Sequence, residues 1–230
     1  MELSAVTLAR YIGFVETFDL NPSGKVFFPD ILEALVKRCH FQKFPKEYSE
    51  LDAQKGVDFF DGKWGEITVD KLTIYQNGIL IDTRSSTADS ERILHEALLW
   101  AASEFGITYR SAMIKRKAYV SNLTFYSEAP LLATINPTLS TLSDGVGRAV
   151  SEILGGDFKY EPVGISVHYD QFLKQIPVAP FTIQRRIQTP FSENKYFSEA
   201  PLPTDVHWTL LQEFEADLVA TLPDARLGSD

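Results

Sequence analysis

The sequence predicts an α+β fold: a mostly antiparallel or mixed sheet built from strand–strand–helix units, with helices on one face. Three observations carry this. Residues 67–84 read as a β-hairpin around Asn77-Gly78. Three segments, 67–105, 115–154 and 182–219, each run strand, strand, polar cap, helix. Finally, Phe125-Tyr126-Ser127-Glu128-Ala129-Pro130-Leu131 returns as Tyr196-Phe197-Ser198-Glu199-Ala200-Pro201-Leu202, with only the aromatics exchanged. Each copy follows a basic run, Lys115-Arg116-Lys117 or Arg185-Arg186, and precedes a helical pattern announced by a second proline. The segments 115–154 and 182–219 therefore read as a partial internal pseudo-repeat.

Taken in order, Ser4 caps a first expected helix, with Leu8, Tyr11, Ile12, Val15 and Phe18 at helical spacing. A strand over 11–18, aromatic and β-branched, is the competing reading. Asn21-Pro22-Ser23-Gly24 is a turn, and Pro29 or Asp30 opens a short helix, 29–39, with Ile31, Leu32, Leu35 and Val36 inward. Residues 41–62 lose all periodicity and read as a connecting segment. The Asn77-Gly78 pair between apolar runs is a strong hairpin signal, because a type I′ turn needs φ > 0 at both residues. Arg84-Ser85-Ser86-Thr87 then caps a helix, 88–105, that Gly106 ends.

Residues 114–127 form one long strand or a hairpin folded at Ser121-Asn122. Asn136-Pro137 caps a helix, 137–154, that Gly155-Gly156 stops. Strands follow over 158–169, 181–187 and 194–198. Thr204 caps a last helix whose Val206, Leu210, Phe214 and Leu218 form an i, i+4 apolar row. The final seven residues read as a frayed tail. The whole, 1–230, reads as a single domain, with a loosely attached N-terminal part, 1–62, and a repeat-bearing core, 63–223.

Composition bounds the function. The chain has 230 residues, 44% of them hydrophobic and 23% charged, as in ordinary globular proteins. A net charge of −9 argues against nucleic acid or an anionic membrane as partner. One cysteine, Cys39, excludes an internal disulfide and suits a reducing cytoplasm. The N-terminus has no basic n-region, and no apolar run approaches the roughly 20 residues of a membrane span. No cofactor fingerprint is present, and the four histidines show no metal-ligand spacing.

The doubled heptad supplies the candidate site residues. As a strand-to-helix connector it is scaffold: its prolines end strands and its aromatics pack under a helix. Read chemically, Glu128 and Glu199 at equivalent positions can act as an acid/base pair, with Arg116 and one of Arg185 or Arg186 on the same sheet face to bind phosphate or carboxylate. The helix start at Arg84 adds amides and a cation suited to an anion. Ser166, His168 and Asp170 invite a triad, but alternate strand residues lie roughly 7 Å apart, too far for a direct relay. Pro29-Asp30 and Asp61-Gly62-Lys63 formally resemble the Pro-Asp…Asp-x-Lys signature of one nuclease superfamily, yet fall on an expected helix and an expected turn.

The leading expectation is a non-enzymatic cytoplasmic subunit or adaptor that binds a protein partner or a second copy of itself. One alternative is a metal- or phosphate-dependent hydrolase, a nuclease among them, using Glu128, Glu199, Arg116 and Arg185. The other is a small-anion or nucleotide sensor built on the arginines and the helix start at Arg84.

Overall fold

The structure, a computed structural model, describes residues 1–135, 137–170, 172 and 178–221. Its elements run β1 (Glu2–Phe14), α1 (Thr17–Leu20), α2 (Phe28–Cys39), β2 (Val57–Trp64), β3 (Ile67–Tyr75), β4 (Gly78–Thr83), α3 (Thr87–Phe105), β5 (Arg116–Tyr126), α4 (Leu131–Thr134), α5 (Pro137–Leu154), β6 (Gly164–Val167), β7 (Phe181–Arg185), β8 (Lys195–Ala200) and α6 (Thr204–Thr221). This is the expected α+β fold. The strands lie in one antiparallel sheet in the order β2-β3-β4-β1-β5-β8-β7-β6. Among the described residues no helix is long and apolar enough to cross a membrane. The chain forms two compact units. One takes in the described residues of Met1–Ala5, Asn122–Ala200 and Val206–Asp230, and the other Val6–Ser121 with Pro201–Asp205.

In the unit containing Val6–Ser121, the N-terminal segment is β1 and not a helix. Ala9, Tyr11 and Val15 are buried at period two, and β1 pairs with β4 from Ala9↔Thr83 to Gly13↔Ile79. Apolar residues also fall on the half-buried face of β1, at Leu8, Ile12 and Phe14, so the summed pattern aliases to helical spacing. The connecting segment expected over 41–62 ends in β2, whose Val57 and Phe59 face the core against Phe41. Asp61-Gly62-Lys63 is therefore strand rather than turn.

The β3–β4 hairpin forms one residue earlier than expected. Tyr75 pairs with Gly78, so the loop is Gln76-Asn77, and neither residue has positive φ. Gly78 serves a different need: a Cβ there would lie 3.1 Å from the Gly13 carbonyl oxygen. Helix α3 is capped as expected. The Ser86 side chain accepts from the Asp89 amide, and Gly106 closes the helix at φ 74°. Ile93, Leu94, Leu98 and Ala101 bury its inward face.

Residues 116–126 form a single long strand, the first of the two readings, so the middle segment holds one strand before its helix and not the strand pair of the repeated unit. The Asn136 cap and the frayed tail lie outside the described residues. Helix α6 runs as expected, and its most buried positions lie one residue around from the apolar row, whose Phe214 and Leu218 are half-buried. Leu211, His207 and Glu215 are buried, whereas Val206 and Leu210 are exposed. Two polar side chains on the inward face disguised it.

Candidate functional site

The two copies of the heptad keep one alternation. Phe125, Ser127 and Ala129 are buried, and so are Tyr196, Ser198 and Ala200. The first aromatics of the copies stack, with ring centroids 5.7 Å apart, while Trp208 of α6 meets the Phe125 ring edge-on at 6.1 Å. Both serines reach α6. Ser198 Oγ lies 2.8 Å from His207 Nε2. Ser127 Oγ donates to the Glu215 carboxylate, which also accepts from the Glu128 amide at 3.0 Å and pairs with the Met1 amino group at 2.7 Å. Burial pushes the Glu215 carboxyl up, but the amino group, the Ser127 hydroxyl and the Glu128 amide outweigh it and hold the carboxyl below its usual range. The motif is thus a socket for α6, made twice.

That geometry separates the expected acid pair. Glu128 lies three residues beyond Phe125, and Glu199 three beyond Tyr196, on strands of opposite direction. Glu128 falls just beyond the end of β5, whereas Glu199 lies within β8. Glu128 is 90% exposed at its side chain. Arg185 pairs across the ladder with Tyr196 and Glu199 with Thr182, so an odd number of steps along β8 puts them on opposite faces. Arg185 is buried and engaged. It donates to Glu161 at 2.5 Å and to the Phe191 carbonyl at 2.9 Å, and it stacks on Phe191 and Tyr196. Arg186, on the other face, lies over Phe197. Arg116 lies over Phe14. The structure does not assemble the pair with its arginines.

The anion-binding helix start is also occupied from within. Thr87 N–H donates to Thr204 Oγ1 at 3.0 Å, and Asp89 N–H to Ser86 Oγ at 3.0 Å. The Asp89 carboxylate accepts from Ser85, Ser86 and Arg92, and these hydrogen bonds, led by Ser85, hold it below its usual range. Arg84 is bonded to Asp70 at 2.7 Å. An acidic side chain thus sits where a phosphate would. Of the nuclease-like residues, Asp30 opens α2 and Asp61 pairs with Lys43 from β2, so the acids do not lie on neighbouring strands. Ser166 lies on β6, while His168 and Asp170 fall beyond its end.

The sequence did not indicate a polar cluster on α3. Glu91 accepts from Lys117 at 2.5 Å and from Tyr119 at 2.9 Å, and lies 3.7 Å from His95 Nε2; His95 Nδ1 bonds to the Tyr109 hydroxyl. Tyr11 stacks on Tyr119 at 5.4 Å, and its buried hydroxyl has no hydrogen-bond partner among the described residues. The available signals were the i, i+4 spacing of Glu91 and His95 and the i, i+2 spacing of Lys117 and Tyr119. Neither says that the two pairs meet. Among the described residues no acid, histidine and cysteine group is arranged to hold a metal.

The feature best suited to function is α5. Leu139, Leu142, Val146, Val150 and Ile153 recur at helical spacing along one stripe. Such a stripe normally faces a core, yet among the described residues Leu142 is 62% exposed and Ile153 79%, with Leu139 at 40%, Val146 at 38% and Val150 half-buried. What α5 does pack against lies to one side. A Cβ on Gly147 would fall 2.5 Å from the Phe158 carbonyl oxygen, and Ser151 Oγ accepts from the Phe158 amide at 3.0 Å. Gly147 and Ser151 sit roughly 100–140° around the helix from the stripe, which leaves the stripe partly exposed. In the same unit β6 is the last strand of the sheet, with exposed Val163 and Val167 at its ends. An open strand edge is a template for pairing with another chain.

Compared with known protein families and with curated proteins, the sequence matches no family model and no curated protein.

Proposed function

We propose that the chain is a non-enzymatic protein-binding subunit that docks a separate protein on the α5 stripe. The observation that supports this is the apolar row of α5, which the described residues leave partly exposed, since exposed apolar patches mark interaction sites. Charge selects among occupants. Between its apolar positions α5 carries Asp144, Arg148 and Glu152, one cation against two acids, unlike the Lys/Arg-rich faces that bind anionic bilayers. A second copy would bring another −9 of like charge. A less acidic, separate protein fits best, and β6 offers it main-chain groups to extend the contact. A cytoplasmic location belongs to the same reading, supported by a lone buried thiol, Cys39.

The test is a photo-crosslinking residue at Leu142 in living cells, with the same residue at Glu66 as control. One dominant adduct to a different protein is expected at 142, lost when Ile153→Asp is added. An adduct to a second copy, to lipid, or to nothing overturns the proposal.

A further inference from the structure

A cavity of ≈ 440 Å³ lies within the unit containing Val6–Ser121, walled by α2, α3 and the β3–β4 hairpin. Native interiors have few voids larger than a water molecule, and this volume falls in the range of small-molecule sites. Its floor is core: Leu72, Ile81, Leu94 and Leu98 are nearly inaccessible from outside. The lining residues Phe18, Gly24 and Gln76 are exposed, so the mouth lies beside α1 and the hairpin loop.

The chemistry of the lining is one-sided. Among the described residues it holds no ionisable side chain, and its polar members are Thr17, Asn21 and Gln76. Two of these are engaged by the protein itself. Thr17 donates from both amide and hydroxyl to the Gln76 carbonyl, at 2.8 and 3.0 Å, and the Asn21 side chain donates to the Val26 carbonyl at 2.7 Å. Charge brought into the cavity would meet no counter-charge among the described lining residues, which disfavours any ionised ligand. One wall is rigid. Trp100 lines the cavity while its ring lies under the Arg38 guanidinium at 5.1 Å and meets Phe105 edge-on at 5.7 Å; Arg38 in turn lies over Trp64 at 4.8 Å.

We infer that this cavity is a binding site for one small neutral apolar molecule, a hydrocarbon or aromatic body with any single polar group directed to the Gln76 rim. The site is independent of the α5 surface.

The experiment titrates the purified chain with N-phenyl-1-naphthylamine, a neutral fluorescent probe, and competes it with decanol and with decanoate. Saturable one-to-one binding is expected, displaced by decanol at lower concentration than by decanoate. Ala97→Phe, and separately Ile31→Trp, should each weaken probe binding by roughly tenfold or more, since the new side chain occupies the ligand's space. Melting temperature read on both variants identifies any that is merely unfolded. Leu142→Asp/Ile153→Asp should leave probe binding unchanged. Non-saturable binding, binding that survives in both folded cavity variants, preference for decanoate, or loss on changing α5 overturns the inference. Only the last of these would transfer the probe to the proposed protein-docking face.

Discussion

Ser198 Oγ lies 2.8 Å from His207 Nε2 and 2.6 Å from the Thr182 carbonyl oxygen, with Ser198 and His207 both fully buried. A carbonyl can only accept, so the single hydroxyl proton goes to Thr182 and His207 donates from Nε2. This fixes the histidine tautomer and seats the first turn of α6 on β8. Ser198→Ala removes the hydroxyl that bridges the Thr182 carbonyl and His207 Nε2. The expected loss is about 1–3 kcal/mol in urea unfolding. No loss would mean that α6 is seated by Leu211 and Trp208 alone.

Tyr11 offers the opposite case. Its hydroxyl is buried without a hydrogen-bond partner among the described residues, and burial foremost, then the nearby Glu91 charge, raises its pKa far above the ordinary phenol value. Tyr11→Phe removes an unsatisfied group while keeping the ring on Tyr119. It should be neutral or stabilise the fold by about 1 kcal/mol. Loss of stability on this change would indicate a partner for the hydroxyl.

The Glu91 cluster sets a pH dependence on both limbs. Burial pushes the Glu91 carboxyl up, but Lys117 and Tyr119 reverse this and leave it lowered. A lowered folded pKa means stability present above the unfolded value of about 4.3 and lost as pH falls through the folded one. Tyr119 is raised to about 12, by burial first and by Glu91 next. Its contribution is present below the unfolded value of about 10 and lost as pH rises toward 12. Glu91→Gln should flatten the acid limb below about pH 5 and bring Tyr119 ionisation to lower pH. Denaturant melts across pH and ultraviolet titration of the tyrosines read the two effects.

Gly147 is where α5 meets the 158–160 segment. Alanine normally favours a helix over glycine by about 1 kcal/mol. Here the added Cβ would fall 2.5 Å from backbone, at the Phe158 carbonyl oxygen. Gly147→Ala should therefore destabilise by about 1–3 kcal/mol against the propensity trend. Leu142→Asp on the open stripe should change stability by less than about 0.5 kcal/mol. Urea unfolding of the pair separates the packed side of α5 from the open one.

Local chemistry was legible in the sequence. Ser86 and Gly106 bound α3, Pro29 stands in the first turn of α2, and the strand signal on either side of Asn77 gave a hairpin, because caps and turns act within a few residues. Even there the detail differed: the loop is Gln76-Asn77, and Gly78 lies in β4, where a Cβ would crowd the Gly13 carbonyl oxygen. The doubled Ser-Glu-Ala-Pro-Leu was visible at once, but not its task, since Ser127 meets Glu215 and Ser198 meets His207 through contacts made only on folding.

The candidate site followed the same division. The sequence by itself determined that residues 137–154 would be a helix stopped at Gly155-Gly156, and that the chain would be α+β. Only the tertiary structure decided that the apolar stripe of α5 stays partly exposed, that α6 turns His207 and Glu215 inward, and that β1 is an inner strand. Periodicity reports that a face is apolar. What covers that face depends on which distant segments arrive there, and for buried polar groups on whether a partner such as Ser127 or Ser198 is waiting.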